Sequence, residues 1–172
     1  SELMLEIREV KNKRDKKKFI KFPIWLYKDC PYFVPALYMD EDSEFDPKQN
    51  GAFAYAECKM WLALRDGKVV GRAAGVLNKA YNEKMDVKQM RFTRFDFVDD
   101  AEVVDALFAK VVEYAKECGM NEIIGPIGFS DLDKHAKSTF WQFGALEAAM
   151  RQIDMEWEIR DYLTTHPAAA VA

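Results

Sequence analysis

Between positions 91 and 129 the apolar residues follow two periods in turn. Arg91-Phe92-Thr93-Arg94-Phe95-Asp96-Phe97-Val98 alternates polar with apolar, the period-2 mark of a strand with one buried face. Asp99-Asp100-Ala101-Glu102 then carries a helix-start signature. Asp99 is expected to cap the free backbone N–H groups, and Glu102, three residues on, completes a capping box. Val103, Val104, Leu107, Phe108, Val111, Val112 and Ala115 follow at helical spacing and form one broad apolar face. Gly119 after Cys118 is the expected helix stop. Positions 121–126 give a second apolar strand, which Pro126 must end or bend. Strand, helix and strand with short connections predict parallel strands joined by a right-handed crossover.

The other elements are arranged around this unit. Leu5-Glu6-Ile7-Arg8-Glu9-Val10 alternates as a first strand. Positions 11–18 are strongly basic, which reads as a solvated helix start, with a patch for an anionic ligand as the second reading. Phe19, Ile20, Phe22, Trp25 and Leu26 supply a helical apolar face, and Pro23 is expected to kink that helix or begin a second segment. Positions 30–50 hold Pro31, Pro35 and Pro47 among Tyr32, Phe33, Leu37 and Tyr38, then an acidic run at 40–44. So long a connection is expected to be an ordered excursion over one sheet face. Positions 59–77 read as a hairpin about Asp66-Gly67. Gly71 and Gly75 in its second strand predict a bulge or a close backbone approach. Positions 78–89 read as a polar connection. Ser130-Asp131 reads as a loop or helix cap. Ala136, Thr139, Phe140 and Phe143 predict a short helix stopping at Gly144, and Ile153, Met155, Trp157 and Ile159 a last strand. The expected organisation is one domain over 1–163 and a tail over 164–172.

Composition narrows the function. The chain has 172 residues, 49% of them hydrophobic and 31% charged, which suits one globular domain. A net charge of −4 argues against a nucleic-acid partner, because phosphate binding needs surplus Lys and Arg. No apolar run reaches the ~20 residues of a membrane span, and no leader pattern opens the chain, so a cytoplasmic protein without a membrane partner is expected. Cys30, Cys58 and Cys118 are odd in number and far apart, which reads as reduced thiols. With His135 and His166 the only histidines, no metal is expected.

The order of elements resembles the GNAT superfamily of acyl-CoA-dependent N-acetyltransferases. The hairpin from Trp61 through Gly67-Lys68-Val69-Val70-Gly71-Arg72 looks like the family's second and third strands. Ala106-Leu107 and Tyr114-Ala115-Lys116-Glu117-Cys118-Gly119-Met120 are similar to its cofactor-supporting helix. Phe140-Trp141-Gln142-Phe143-Gly144-Ala145 looks like its late "Y-x-x-x-G-F" motif. More narrowly, Phe19-Ile20-Lys21-Phe22-Pro23-Ile24-Trp25-Leu26, Val34-Pro35-Ala36-Leu37 and Gly125-Pro126-Ile127-Gly128-Phe129-Ser130 resemble a bacterial GNAT-like group. Its members are longer than this chain, and the narrow likeness covers about 4–134. The resemblance implies an α/β fold: a mixed, strongly twisted central sheet of about six to seven strands with helices on both faces. It also implies acetyl-CoA or another acyl-CoA as cofactor and an amine, on a small molecule or a protein, as acceptor. Cofactor contacts then fall on Phe97, Val98, Asp99, Ala101, Val103, Val104 and Phe140, with backbone N–H groups near Phe97 and Val98 polarising the thioester carbonyl.

The chain departs from that family at two places. A Gly-rich "[QR]-x-x-G-x-[GA]" turn is expected where Val98-Asp99-Asp100-Ala101-Glu102-Val103-Val104 stands, without glycine or basic residue. Carboxylates there oppose a pyrophosphate, at roughly 4 kcal/mol per contact for a separation of about 4 Å and an effective dielectric of about 20. Phe140 stands where the family often has an acidic Tyr hydroxyl, and Phe carries no proton to give. The candidate acid/base groups are therefore Asp96, Ser130 and Asp131; alternatively Asp96 faces outward and Ser130-Asp131 cap a helix. Arg91 and Arg94, three apart, point to opposite faces of an ideal strand and are expected to pair with surface carboxylates. Tyr32, Phe33, Tyr38, Phe53 and Tyr55 could floor a pocket or form satellite core beneath a loop. Two functions fit: a divergent N-acyltransferase, or a catalytically inactive GNAT-fold binding or assembly domain, whose exposed strand edges would suit a protein partner or a homodimer.

Overall fold

The computed structural model describes residues 4–31, 33–129 and 139–142. Six strands form one sheet in chain order: β1 Leu5–Glu9, β2 Ala56–Arg65, β3 Lys68–Asn78, β4 Gln89–Phe97, β5 Glu122–Gly125 and β6 Thr139–Gln142. Neighbours are antiparallel except β4 and β5, which are parallel. The helices are α1 Lys13–Leu26, α2 Tyr38–Glu44, α3 Lys79–Met85 and α4 Ala101–Glu117, with a 3-10 turn at Gly51–Ala54. Six strands among the described residues meet the lower end of the expected count.

The parallel pair exists because α4 carries the chain back across the sheet. Its apolar stripe, Val103, Leu107, Phe108 and Val111, packs on Ala63, Ala73, Phe92, Phe95 and Phe97. The opposite sheet face presents Leu62, Leu64, Ala74 and Val76 to Phe19 and Ile20 of α1, with Phe45 and Phe129. Helices thus cover both faces, as expected.

The hairpin turns at Asp66 and Gly67, both in the left-handed region with φ of 49° and 74°, which matches the strand twist. Next to Gly71 the β2–β3 register shifts by one residue. A Cβ on Gly71 would lie 2.8 Å from both Leu107 Cδ1 and Val103 Cγ1, and one on Gly75 2.9 Å from Tyr114 Cδ2. Both glycines therefore let α4 seat directly on β3. Gly71→Ala is expected to lower the unfolding free energy by about 1–3 kcal/mol through overpacking, read as a shifted urea midpoint at constant slope. An unshifted midpoint would show that α4 can lift without cost.

Several expectations change. Pro23 does not begin a second segment; it lies inside one helix that runs from Lys13 to Leu26. Pro23 has no N–H for the Phe19 carbonyl four residues back, and Arg72 Nη1 donates to that oxygen instead, at 2.9 Å. The basic run is a helix start, capped by Asn12, whose Oδ1 accepts from Asp15 N at 2.8 Å. The 78–89 connection contains α3, capped by Asn78, whose Oδ1 accepts from Tyr81 N at 2.9 Å. Seven residues are too few for a 3.6 period to register. The described residues of the 30–50 excursion pack on the helix before it: Phe33 stacks on Tyr27 at 4.7 Å between centroids, and Phe45 meets Phe19 at 5.9 Å. Leu37 and Tyr38, however, stay exposed. Where a short helix about Phe140 was expected, Thr139–Gln142 forms β6, antiparallel to β5. The strand-forming set Thr139, Phe140 and Trp141 meets the open edge of β5, and that pairing prevails over the helical spacing. The rest of that expected helix, the 153–159 strand and the tail lie outside the described residues.

Candidate functional site at the β4 edge and the start of α4

The site begins where β4 and β5 part. They pair over three positions, Gln89 with Glu122 through Arg91 with Ile124. The Phe92 carbonyl then accepts from Ile127 N at 3.0 Å. β5 ends at Gly125 while β4 runs on to Phe97, so among the described residues no strand borders 93–97 on that side. A Cβ on Gly125 would lie 2.6 Å from the Phe92 oxygen, so only glycine allows this approach.

Within β4 a bulge resets the faces. Asp96 pairs with Arg72 and Thr93 with Ala74, leaving Arg94 and Phe95 opposite the single residue Ala73. Arg94 takes φ of 51°, the left-handed conformation of a bulge residue. Phe92 and Phe95 therefore both enter the core beneath α4. The expectation that Arg91 and Arg94 face opposite ways is overturned, because it assumed unbroken alternation. Arg94 lies 5.2 Å from the ring of Phe45, and Arg91 is buried with Nη1 donating to Gly128 O at 3.2 Å, over the Tyr81 ring at 4.7 Å. Nor is Arg94 paired as an outlying surface cation. Its Nε and Nη2 grip Glu41 at 3.0 and 2.9 Å, Nη2 also reaches Glu44, and Nη1 donates to Thr93 Oγ1 at 2.8 Å, which ties α2 to the bulge.

Asp96 does not face outward. Its Oδ2 accepts from Arg72 Nε at 2.8 Å and its Oδ1 from the Tyr27 hydroxyl at 2.7 Å, all three residues being buried. Burial, and then the adjacent Asp96 charge, push the Tyr27 hydroxyl well above its usual range, so Tyr27 is a fixed donor here. The guanidinium also lies 5.0 Å over the Phe19 ring. Asp96 is thus the hub of a buried network linking α1, β3 and β4, with its two oxygens turned to Tyr27 and Arg72.

The start of α4 differs from expectation by one residue. Asp100, not Asp99, is the N-cap, its Oδ1 accepting from Glu102 N at 3.1 Å. Arg65, at the end of β2, donates to Asp100 Oδ2 from Nε at 3.1 Å and from Nη2 at 3.0 Å, and Nη2 reaches Glu102 at 3.1 Å. The hairpin therefore delivers a cation to a turn that has none in its own sequence. Val98 N donates to Val70 O at 3.0 Å, so its N–H is committed to β3 and does not polarise a substrate carbonyl. By strand alternation the peptide N–H of Phe97 is directed away from β3, toward the side that β5 has left. The side chains of Phe97, Val103 and Val104 are core; Ala101, the first helical residue, is exposed.

Phe140 lies in β6 opposite Ile124. Ser130 and Asp131 lie outside the described residues, as does Tyr32. The remaining aromatics share no floor: Phe53 packs on Phe129 at 4.9 Å, Phe33 on Tyr27, while Tyr38 and Tyr55 are exposed. Burial pushes the Cys58 thiol up to about 12, which removes it as a nucleophile at neutral pH. Among the described residues no cluster of His, Cys, Asp or Glu could hold a metal ion, and no helix is long and apolar enough to cross a membrane. Tyr27, Arg72 and Arg65 were missed from sequence. Two signals were present: a proline inside a helix leaves a carbonyl in need of a donor, and Thr93-Arg94 places two polar residues in succession.

No family model matches the chain. Protein YghO of Escherichia coli (strain K12) is 30% identical over 124 residues, 72% of this chain and 32% of YghO. The bacterial ceramide synthase of Caulobacter vibrioides (strain NA1000 / CB15N) is 26% identical over 140 residues, 81% of this chain and 36% of that protein. The chain spans about a third of the length of these curated relatives. Among solved structures, the tandem GNAT protein from the clavulanic acid biosynthesis pathway matches with a TM-score of 0.56 at 16% identity, over 72% of this chain and 37% of its own. An N-acetyltransferase from Staphylococcus aureus Mu50 matches with a TM-score of 0.53 at 14% identity, over 88% of this chain and 81% of its own. With its parallel β4–β5 pair crossed over by α4 in a mixed sheet, the chain has a GNAT-like fold.

Proposed function

We propose that this chain forms the acyl-CoA-binding part of an N-acyltransferase that moves an acetyl or longer acyl group from CoA to an amine. The observation that carries the reading is the edge of β4 after Phe92, which no strand borders among the described residues, next to a helix start at which Arg65 is held. A thioester laid along that edge meets the Phe97 N–H, which polarises its carbonyl. The neutral amine attacks the carbonyl carbon, the N–C bond forms, the C–S bond breaks, and CoA leaves as thiolate. The amine's surplus proton must pass to a base and the thiolate must gain one. Ser130 and Asp131 are the candidates, Asp96 being engaged by Arg72 and Tyr27. Ceramide is an amide of a long-chain amino alcohol, so the name of the Caulobacter relative denotes formation of the same kind of bond. A long-chain amine is accordingly the acceptor this reading favours.

One observation favours the alternative, a GNAT-fold binding or assembly domain without cofactor: the Asp100 carboxylate takes the Glu102 N–H that a phosphate would use. Calorimetric titration with acetyl-CoA, CoA and a long-chain acyl-CoA at low salt, checked by thermal shift, separates the two. The enzyme reading expects dissociation constants of about ten micromolar or below, and about ten-fold tighter binding in Asp100→Ser, which keeps a cap and removes one of the two carboxylates that engage Arg65. No heat and no thermal shift at about millimolar ligand, in either protein, would overturn it and leave the binding-domain reading.

A further inference from the structure

The basic run of α1 and the apolar residues beside its end lie outside the candidate site described above, and exposed members of both groups are in contact. The acidic run that follows in sequence does not neutralise the basic one. Glu41 and Glu44 turn inward to Arg94, and Asp42 pairs with Lys16 at 3.2 Å. Arg14, Lys17 and Lys21 on α1 and Lys28, two residues past its end, are exposed, and among the described residues none lies within ion-pair distance of a carboxylate. A chain with net charge −4 thus presents a cationic stripe, against which stand the exposed Asp29, Asp40 and Asp66.

Large apolar side chains are interleaved with these cations. Ile24 and Trp25 are 47% and 40% exposed at the end of α1, Val34 and Leu37 are 85% and 71% exposed in the segment leading into α2, and Met39 is 78% exposed in its first turn. Contacts join the two groups: Lys21 Nζ lies 5.8 Å from the Tyr38 ring centroid, and Lys28 and Lys68 lie 5.7 and 4.5 Å from that of Trp25. A protein-facing patch has its charges at the rim and excludes them from the centre. Here the ammonium groups lie over the aromatic faces themselves. That arrangement suits the polar–apolar boundary of a bilayer, where Lys heads sit among phosphates and Trp and aliphatic side chains lie just below.

We propose that this face docks on an anionic phospholipid surface, with Lys17, Lys21, Lys28 and Lys68 among the headgroups and Trp25, Leu37 and Met39 in the acyl boundary. Neither signal suffices alone, since marginal apolar insertion becomes stable binding only with a cationic patch. The sequence expectation of no membrane partner rested on the absence of a spanning run; a face that lies on a membrane needs none. The inference is independent of acyl transfer, because it uses no residue of the β4 edge.

Co-sedimentation with vesicles of phosphatidylcholine containing phosphatidylglycerol, against phosphatidylcholine alone, tests it. Binding is expected only to the anionic vesicles and falls as salt is raised. Each lysine removed in the series K17A, K21A and K28A should lower partitioning about five-fold, the equivalent of ~1 kcal/mol per charge at the surface. K110A on the α4 side should leave it unchanged. The tryptophan emission shift on binding should be lost in W25F, and L37S/M39S, on exposed positions that leave the core intact, should weaken binding several-fold. Equal binding to both vesicle types, no binding at low salt, or a dimer in solution that L37S/M39S dissolves would each overturn the proposal.

Discussion

Arg72→Met is expected to lower the unfolding free energy by about 3–5 kcal/mol, the scale for breaking a buried ion pair from one side. Three defects arise together. Asp96 keeps the Tyr27 hydroxyl but loses its buried counter-charge. The Phe19 carbonyl, which Pro23 cannot serve, loses its donor. The guanidinium over the Phe19 ring is also removed. Urea denaturation followed by circular dichroism measures the loss, and adding Asp96→Asn to Arg72→Met should restore part of it, since the stranded charge is then gone. Arg72→Lys should remain well below the parent, because one ammonium point charge cannot replace a fork that spans a carboxylate and a helix carbonyl. A loss below about 1 kcal/mol for Arg72→Met would show that water reaches the site and that the network is not what joins α1 to the sheet.

Gly125→Ala is expected to cost about 3 kcal/mol, at the upper end of overpacking penalties. Its Cβ would meet not a flexible side-chain end but the Phe92 oxygen at 2.6 Å, together with the Phe92 ring at the same distance. That oxygen accepts from Ile127 N in the last bond before β4 and β5 separate. The substitution should therefore show itself first as faster hydrogen exchange at the Ile127 amide, ahead of any global loss of protection. Unchanged exchange at Ile127 with a lowered global stability would mean that the strain is relieved elsewhere in β5. The mouth of the candidate site would then not be set by this contact.

Much of the fold is legible along the chain because its cues are local. Period 3.6 over 103–115, Asp66-Gly67 between two apolar runs, and Gly119 after a helix each describe a conformation that neighbours in sequence decide. The elements that were missed or shifted are those settled by distant partners. The helix over 79–85 is held through Asn82, whose Nδ2 reaches Met120 Sδ, β6 depends on the edge of β5, and the true cap at Asp100 on the position of Arg65 across the hairpin. The candidate site was legible by type and not by arrangement. Asp96 stands out as a carboxylate on the central strand, but its neighbours Arg72 and Tyr27 come from positions 24 and 69 residues away. Only the tertiary structure brings them together. The sequence by itself determined the periods, the turns and the two glycines that admit α4. The bulge at Arg94 decided which polar side chains lie buried and which peptide N–H is left to the open edge, because one extra residue in a period-2 strand reverses every face that follows.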